Sequence, residues 1–283
     1  MGIVSYAQNF EDVMLWRALG DRSSGFWIDV GAADPDRSSV TRAFSERGWR
    51  GVNIEPTAGF FFRLQAARQN DVNLNVALGA AAGQFSFYDC EDATLSSLDA
   101  AVAARNRADG RAVQQRTIEV MTLAEVCRLH APADIHFLKI DVEGAEAQVL
   151  AGADFSTYRP WIVVVEATLP LTQVDASAAW EPALLAARYR FAWFDGLNRF
   201  YIADEHWDEL GRHFRVPPNV FDQFMLHDPG DKVQAELAHA QRQLAQLRAE
   251  LARTHDVVTR NFISRWRRRL RELAERGAGQ LRP

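Results

Sequence analysis

Apolar positions recur along roughly residues 5–205 in two distinct rhythms. Short, near-continuous apolar runs occupy 25–32 (GFWIDVGA), 51–56 (GVNIEP), 71–78 (DVNLNVAL), 135–142 (IHFLKIDV) and 161–167 (WIVVVEA). Between them the apolar residues fall at helical spacing. Val40, Ala43, Phe44 and Trp49 do so in 38–49, followed by FFRLQAARQ, by EGAEAQVLAGA (143–153) and by ALLAARY (183–189). Strands that are apolar on both faces, separated by amphipathic helices, predict a parallel sheet covered on both sides. The fold expected is therefore α/β, a doubly wound and mostly parallel sheet. GQFSFYDC (83–90) instead alternates with period two, as a half-exposed strand does. RFAWFDG and NRFYIAD, joined at Gly196-Leu197, predict a hairpin, so one late strand should run antiparallel. The stretch 92–116, rich in Arg, reads as a mobile, solvated insertion.

The rhythm changes beyond Pro229. Val233, Leu237, Ala240, Leu244, Leu247, Leu251, Thr254 and Val258 alternate steps of four and three, which is the seam of an α-helical coiled coil. Residues 1–229 are thus expected to form the α/β domain and 230–283 a C-terminal appendage, with homo-oligomerisation through 231–258. In 260–273 (RNFISRWRRRLREL) the heptad register slips. Phe262, Ile263, Trp266, Leu270 and Leu273 share one helical face, and arginines surround the rest. A basic amphipathic helix of this kind suits an anionic membrane surface.

Composition narrows the setting. The chain has 283 residues, 48% of them apolar, and a formal net charge of −5, which offers no nucleic-acid signature. Two cysteines, Cys90 and Cys127, are too few for a disulfide framework and point to a reducing cytoplasm. Glu11 and Asp12 stand where a signal peptide would be apolar, and no run approaches the length of a membrane span. A cytoplasmic protein, peripheral at the inner face of the membrane where its tail docks, is the expectation.

In a doubly wound sheet, ligands lie outside the carboxyl ends of the strands. Acids stand at several of those ends: Asp29 before Gly31, then Glu55, then Asp141 with Glu143, then Glu166. The loop DVGAADPDRSS has one glycine where a dinucleotide cradle needs three, and Asp34 and Asp36 would repel a pyrophosphate. Glu55 follows Gly31 at about the offset of an acid that grips ribose hydroxyls. A nucleoside without phosphates fits this pattern, and S-adenosyl-L-methionine is such a ligand.

The ordered segments SYAQNFEDVMLWRAL, FWIDVGAADPDRSSVTRAFSERGWRGVNIEP, LNVALG, LSSLD, FLKIDVEGAEAQVLAG, RPWIVVVEA and FDGLNRFYIA resemble the FkbM family of methyltransferases. The resemblance implies a class I, Rossmann-like, S-adenosylmethionine-dependent O-methyltransferase. It also implies an acceptor among the sugars of polysaccharides, O-antigens, glycolipids or natural products. Carried onto this chain, the pattern places Asp29, Gly31 and Ala32 beside the methionine part of the cofactor. Glu55 would take the ribose diol, and Asn75 and Ala77 would border the adenine. Ser39, with Ser38 and Thr41, would face the cofactor carboxylate or cap a helix. Gln8, Glu11 and Asp12 open the pattern in a leading helix over the cleft. GAAD departs from the family's usual Gly-Ala-Asn, which leaves Ala33 only its backbone to offer.

Methylation of an alcohol requires a base for the hydroxyl proton. Asp141, also bordering the cofactor, is the expected base, with Lys139, Glu143 and Glu166 beside it. Lys139 is one of two lysines in an arginine-rich chain, the other being Lys232. Buried between Asp141 and Glu166, it would favour the charged forms of all three. Asp141, Glu143 and Glu166 could instead bind a divalent metal; the metal-free version is the reading taken. Asp195 and Asn198, on the late hairpin, complete a carbohydrate or lipid-linked glycan site together with Glu11 and Asp12. A non-catalytic scaffold, assembled through its coiled coil, is the alternative.

Overall fold

The computed structural model describes residues Gly2–His227. The predicted coiled coil (231–258), the basic tail (260–273) and the proposed boundary at 229–230 lie outside the described residues. Among those described, no helix is long and apolar enough to cross a membrane.

Seven strands form the main sheet: β1 (Phe26–Val30), β2 (Arg50–Ile54), β3 (Val72–Leu74), β4 (Phe137–Ile140), β5 (Ile162–Glu166), β6 (Tyr189–Phe194) and β7 (Asn198–Ala203). Their order is β6-β7-β5-β4-β1-β2-β3. All pairings are parallel except those of β7, which runs antiparallel to both β5 and β6. The late hairpin and its single reversed strand are as the residues predicted.

Side-chain parity sorts the strands into two cores. Ile28, Val30, Val52, Ile54, Leu138, Ile140, Val163 and Val165 face one side. There Val126, Val149 and Leu184 cover them from three helices, Leu123–His130, Glu146–Ala151 and Glu181–Ala186. Trp27, Phe137, Ile162, Val164, Phe200 and Ile202 face the other side, against Met14, Leu15, Leu19 and Phe44. Chain order runs outward from β1 to β3, then returns to β4 and continues the opposite way. The switch point therefore lies between β1 and β4.

Three expectations need correction. DVNLNVAL is not one strand: after β3 the chain turns, and Ala77–Leu78 pairs with Val113–Met121 in a second, three-stranded sheet. Residues 92–116 are not a loose insertion. Asp92 and Asp99 cap a 3₁₀ turn (Ala93–Leu95) and a helix (Ala100–Ala108), and Val113–Met121 pairs antiparallel with Gly83–Cys90. Local capping and strand pairing outweigh the charged composition that suggested a solvated loop. The helix expected over 38–49 shrinks to Arg42–Ser45. Ser38 at φ 55° delays its start, and Gly48 at φ 86° ends it.

Candidate active site

Lys139 and Asp29 are register partners on β4 and β1, next to the switch point. Both are buried, at 6% and 2% exposure. The Lys139 Nζ lies 3.5 Å from Asp29 Oδ1, 3.2 Å from Asp141 Oδ2 and 3.4 Å from the carbonyl of Gly31. Burial pulls the lysine's pKa down, yet Asp141 and Asp29 outweigh it and hold the ammonium above its ordinary pKa. Asp29 is less well served: burial pushes its carboxyl up, and Lys139 offsets only part of that.

Gly31 turns the chain at φ 80°, where a Cβ would stand 1.8 Å from the Asp141 carbonyl. Only glycine lets the two strand-end loops approach so closely. Ala33 and Ser38 also take positive φ, at 49° and 55°. Arg68, itself buried, secures that loop by donating to the Pro35 carbonyl and Ser39 Oγ. Asp34 and Asp36 are not free anions: Arg63 pairs with the first and Arg42 with the second. The repulsion expected from them is thus compensated, and it is the single glycine that argues against a pyrophosphate cradle.

Glu55 follows β2. Its Oε2 accepts from the Ala33 amide at 2.8 Å and its Oε1 from the Thr57 amide at 2.6 Å. A carboxylate has about four lone-pair sites, so two remain for a diol. Burial raises its pKa, and those amides oppose the rise. Asn75 is exposed and donates to the carbonyls of Glu55 and Pro56. Ala77 is buried in the second sheet, and Ala32 is buried beside Gly31.

Beyond Asp141, Glu143 takes φ 53°. Ser97, from the segment first read as a loop, donates to its carbonyl at 2.7 Å. One oxygen each of Glu143, Glu166 and Asp29 is buried without a hydrogen-bond partner. Desolvation, reinforced by Asp141, pushes Glu143 up to about 8 and Glu166 up to about 10. Lys139 does favour the charged form of Glu166, as expected, but burial and the acids around it outweigh that influence. Lys139 sits between Asp29 and Asp141, and burial with three acidic neighbours governs Glu166. Oxygens of Asp141, Glu143 and Glu166 nevertheless lie within 4.8 Å of one another.

Asn198 is the register partner of Glu166 across β7 and β5. Its Nδ2 donates to Glu11 Oε1 at 2.8 Å and to Asp195 Oδ2 at 3.2 Å. Asn9 adds a bond to the Asp195 carbonyl, so the N-terminal segment is tied to the hairpin tip. Glu11 is buried, and desolvation pushes its pKa up to about 7. Asp12 is fully buried and accepts from Ser5 Oγ and the amides of Tyr6 and Ala7, which shapes the entry to its helix. Gln8 is exposed and precedes that helix, which begins at Glu11.

Residues not singled out from sequence also build the site. Glu146 accepts from the amides of Val142 and Gly144 and braces the Asp141 loop. Its place in the VEGAE run was a usable signal. Arg68 carried none, standing among thirty-two basic residues in a helix-like stretch. A separate groove of about 420 Å³, lined by Trp193, Trp207, Arg212 and Arg215, includes none of these acids.

Taken together, the strand-end loops offer a glycine-pinched backbone, one buried ammonium between two carboxylates and two carboxyls that hold protons at neutral pH. The orphaned Asp29 oxygen, the open Glu55 sites and the close approach at Gly31 are compatible with a nucleoside bearing an amino acid. No curated protein matches the chain. The family model for the methyltransferase FkbM domain matches residues 29–191, more than half of the chain, from Asp29 through β1 to β5 and into β6. The chain belongs to the FkbM methyltransferase-domain family.

Proposed function

We propose that the protein uses S-adenosylmethionine to methylate a sugar hydroxyl in polysaccharide, O-antigen or glycolipid assembly. The observation that carries this reading is Lys139, buried as an ammonium between Asp29 and Asp141 above the Gly31 turn. Asp29, Gly31 and Ala32 would hold the methionine part, and Glu55 the ribose. When bound, the cofactor supplies an electrophilic methyl group. Asp141 takes the proton of the acceptor hydroxyl, and the Lys139 ammonium steadies the negative charge on oxygen as that proton leaves. Glu143 and Glu166 hold their protons at neutral pH and can donate hydrogen bonds to neighbouring sugar oxygens. The Glu11–Asn198–Asp195 network orders the hairpin tip beside them. A non-catalytic scaffold would have little use for a lysine and an aspartate buried this deeply beside a third, partly exposed carboxylate, because burying charge is costly.

Calorimetric titration with S-adenosylmethionine, followed by transfer from methyl-labelled cofactor into glycan extracts, tests the reading. Saturable binding and a labelled, O-methylated glycan are expected; absence of both leaves the scaffold. Glu55→Ala should weaken cofactor binding by about 1–3 kcal/mol, the loss of charge-assisted hydrogen bonds. An unchanged Kd in a folded variant would remove Glu55 from the nucleoside site.

The three oxygens within 4.8 Å favour a second version, in which a divalent cation binds Asp141, Glu143 and Glu166. Such a cation would displace the protons of both glutamates. Activity lost in EDTA and restored by Mg²⁺ selects it; full activity in EDTA, the result expected, selects the metal-free route.

A further inference from the structure

We propose that the strip from Val216 to Leu226 is a surface on which two copies of this chain meet. Thirteen large apolar side chains are exposed among the described residues, and five of them fall in these eleven positions. Val216 is 51% exposed, Val220 81%, Phe221 90%, Met225 63% and Leu226 60%. Single exposed apolar residues are ordinary on any protein, but five crowded into one short segment mark an interaction site.

The segment is not a frayed end. Arg17 donates to the carbonyls of His213, Val216 and Pro217 and pairs with Asp222 at 2.6 Å. Asn219 and Asp222 cap the turn between them reciprocally. Phe224 packs on Phe10 at 5.4 Å, and Met225–Leu226 pairs with Val4–Ser5. Arg17 thus fixes the backbone while the apolar side chains stay exposed.

The rest of the chain identifies the partner. Fifty-six residues follow His227, and their apolar seam begins at Val233. That seam occupies two positions in seven, the narrow line that a second identical helix covers. The six residues from His227 to Val233 span at most about 20 Å. Chains paired through that seam would carry two copies of the strip into one dimer. A self-complementary apolar patch is what a two-fold dimer requires. This inference rests on the strip and the seam, and is independent of which acceptor is methylated.

Cys90 and Cys127 are buried, so a cysteine placed on the strip would be the accessible thiol among the described residues. Full-length Phe221→Cys should cross-link to a dimer with a short bismaleimide. Leu129→Cys is the control: its helix covers the opposite face of the sheet, and Leu129 is 52% exposed. Val220→Asp with Phe221→Asp should weaken the dimer at least tenfold by sedimentation equilibrium, with an unchanged circular dichroism spectrum. A monomeric full-length chain, equal cross-linking at positions 221 and 129, or an unaltered dimer in the double variant would each overturn the proposal. A monomer would mean that the chain's own residues 228–283, or another partner, cover the strip.

Discussion

Lys139→Met is expected to destabilise the folded domain by about 3–5 kcal/mol, the usual result of removing one partner from a buried ionic group. The methionine fits the volume, so packing is not the cause. What remains is Asp29 at 2% exposure, with its Oδ1 lacking any hydrogen-bond donor and its nearest cation gone. Asp141 contributes less to the loss, because its side chain is 35% exposed and water screens it. The pH dependence gives the effect a signature. Asp29 already has its folded pKa raised by burial, and without Lys139 it rises further. A carboxyl with a raised folded pKa stabilises the fold while protonated and loses that contribution as pH climbs through the folded value. The deficit of the variant should therefore shrink as pH falls and Asp29 takes up its proton. Urea denaturation of both proteins as a function of pH measures it. A deficit below 1 kcal/mol, or one indifferent to pH, would mean that Asp29 does not depend on Lys139 for compensation.

The sheet was legible because its strands carry their signals locally. WIDV, VNI, FLKI and IVVVE are apolar on both faces, and the helices between them are periodic. The acids at four strand ends were legible for the same reason, since the switch-point rule needs only strand positions. Partnership between those acids was not. That Lys139 faces Asp29 depends on β4 lying directly beside β1, a long-range pairing that no local pattern encodes. Parity placed Lys139 with Asp141 correctly, while Glu166 is raised by burial and by Asp141, Glu143 and Glu146, from the loop and helix that follow β4, which strand parity does not place. The same limit explains residues 92–116. Their composition is that of a solvated loop, and their order comes from pairing with Gly83–Cys90 and from Ser97 reaching Glu143. Glu11 and Asn198 show the reverse case. Both were expected to face substrate, yet they satisfy each other, because a polar group buried at a hairpin tip must find a partner first.

Asp141→Asn is expected to lower turnover by roughly 10²-fold or more while cofactor binding stays within about threefold. That is about 2.7 kcal/mol in the barrier. The substitution preserves shape and removes the capacity to take a proton. In the parent its neighbours are not ready bases: Glu143 is pushed up to about 8 and Glu166 up to about 10. The loss should not come from unfolding, because Asp29 remains beside Lys139 at 3.5 Å. The electrostatics supply a further check. After burial, the Asp141 charge is the largest influence raising both glutamates, so the variant should let them ionise at lower pH. Residual turnover in Asp141→Asn should then climb between pH 7 and 9 more steeply than in the parent, as Glu143 becomes able to accept the proton. Single-turnover transfer from labelled cofactor, measured across that range, tests both statements. Parental turnover at pH 7 would remove Asp141 from the proton transfer, and a flat profile in a slow variant would deny Glu143 the substitute role.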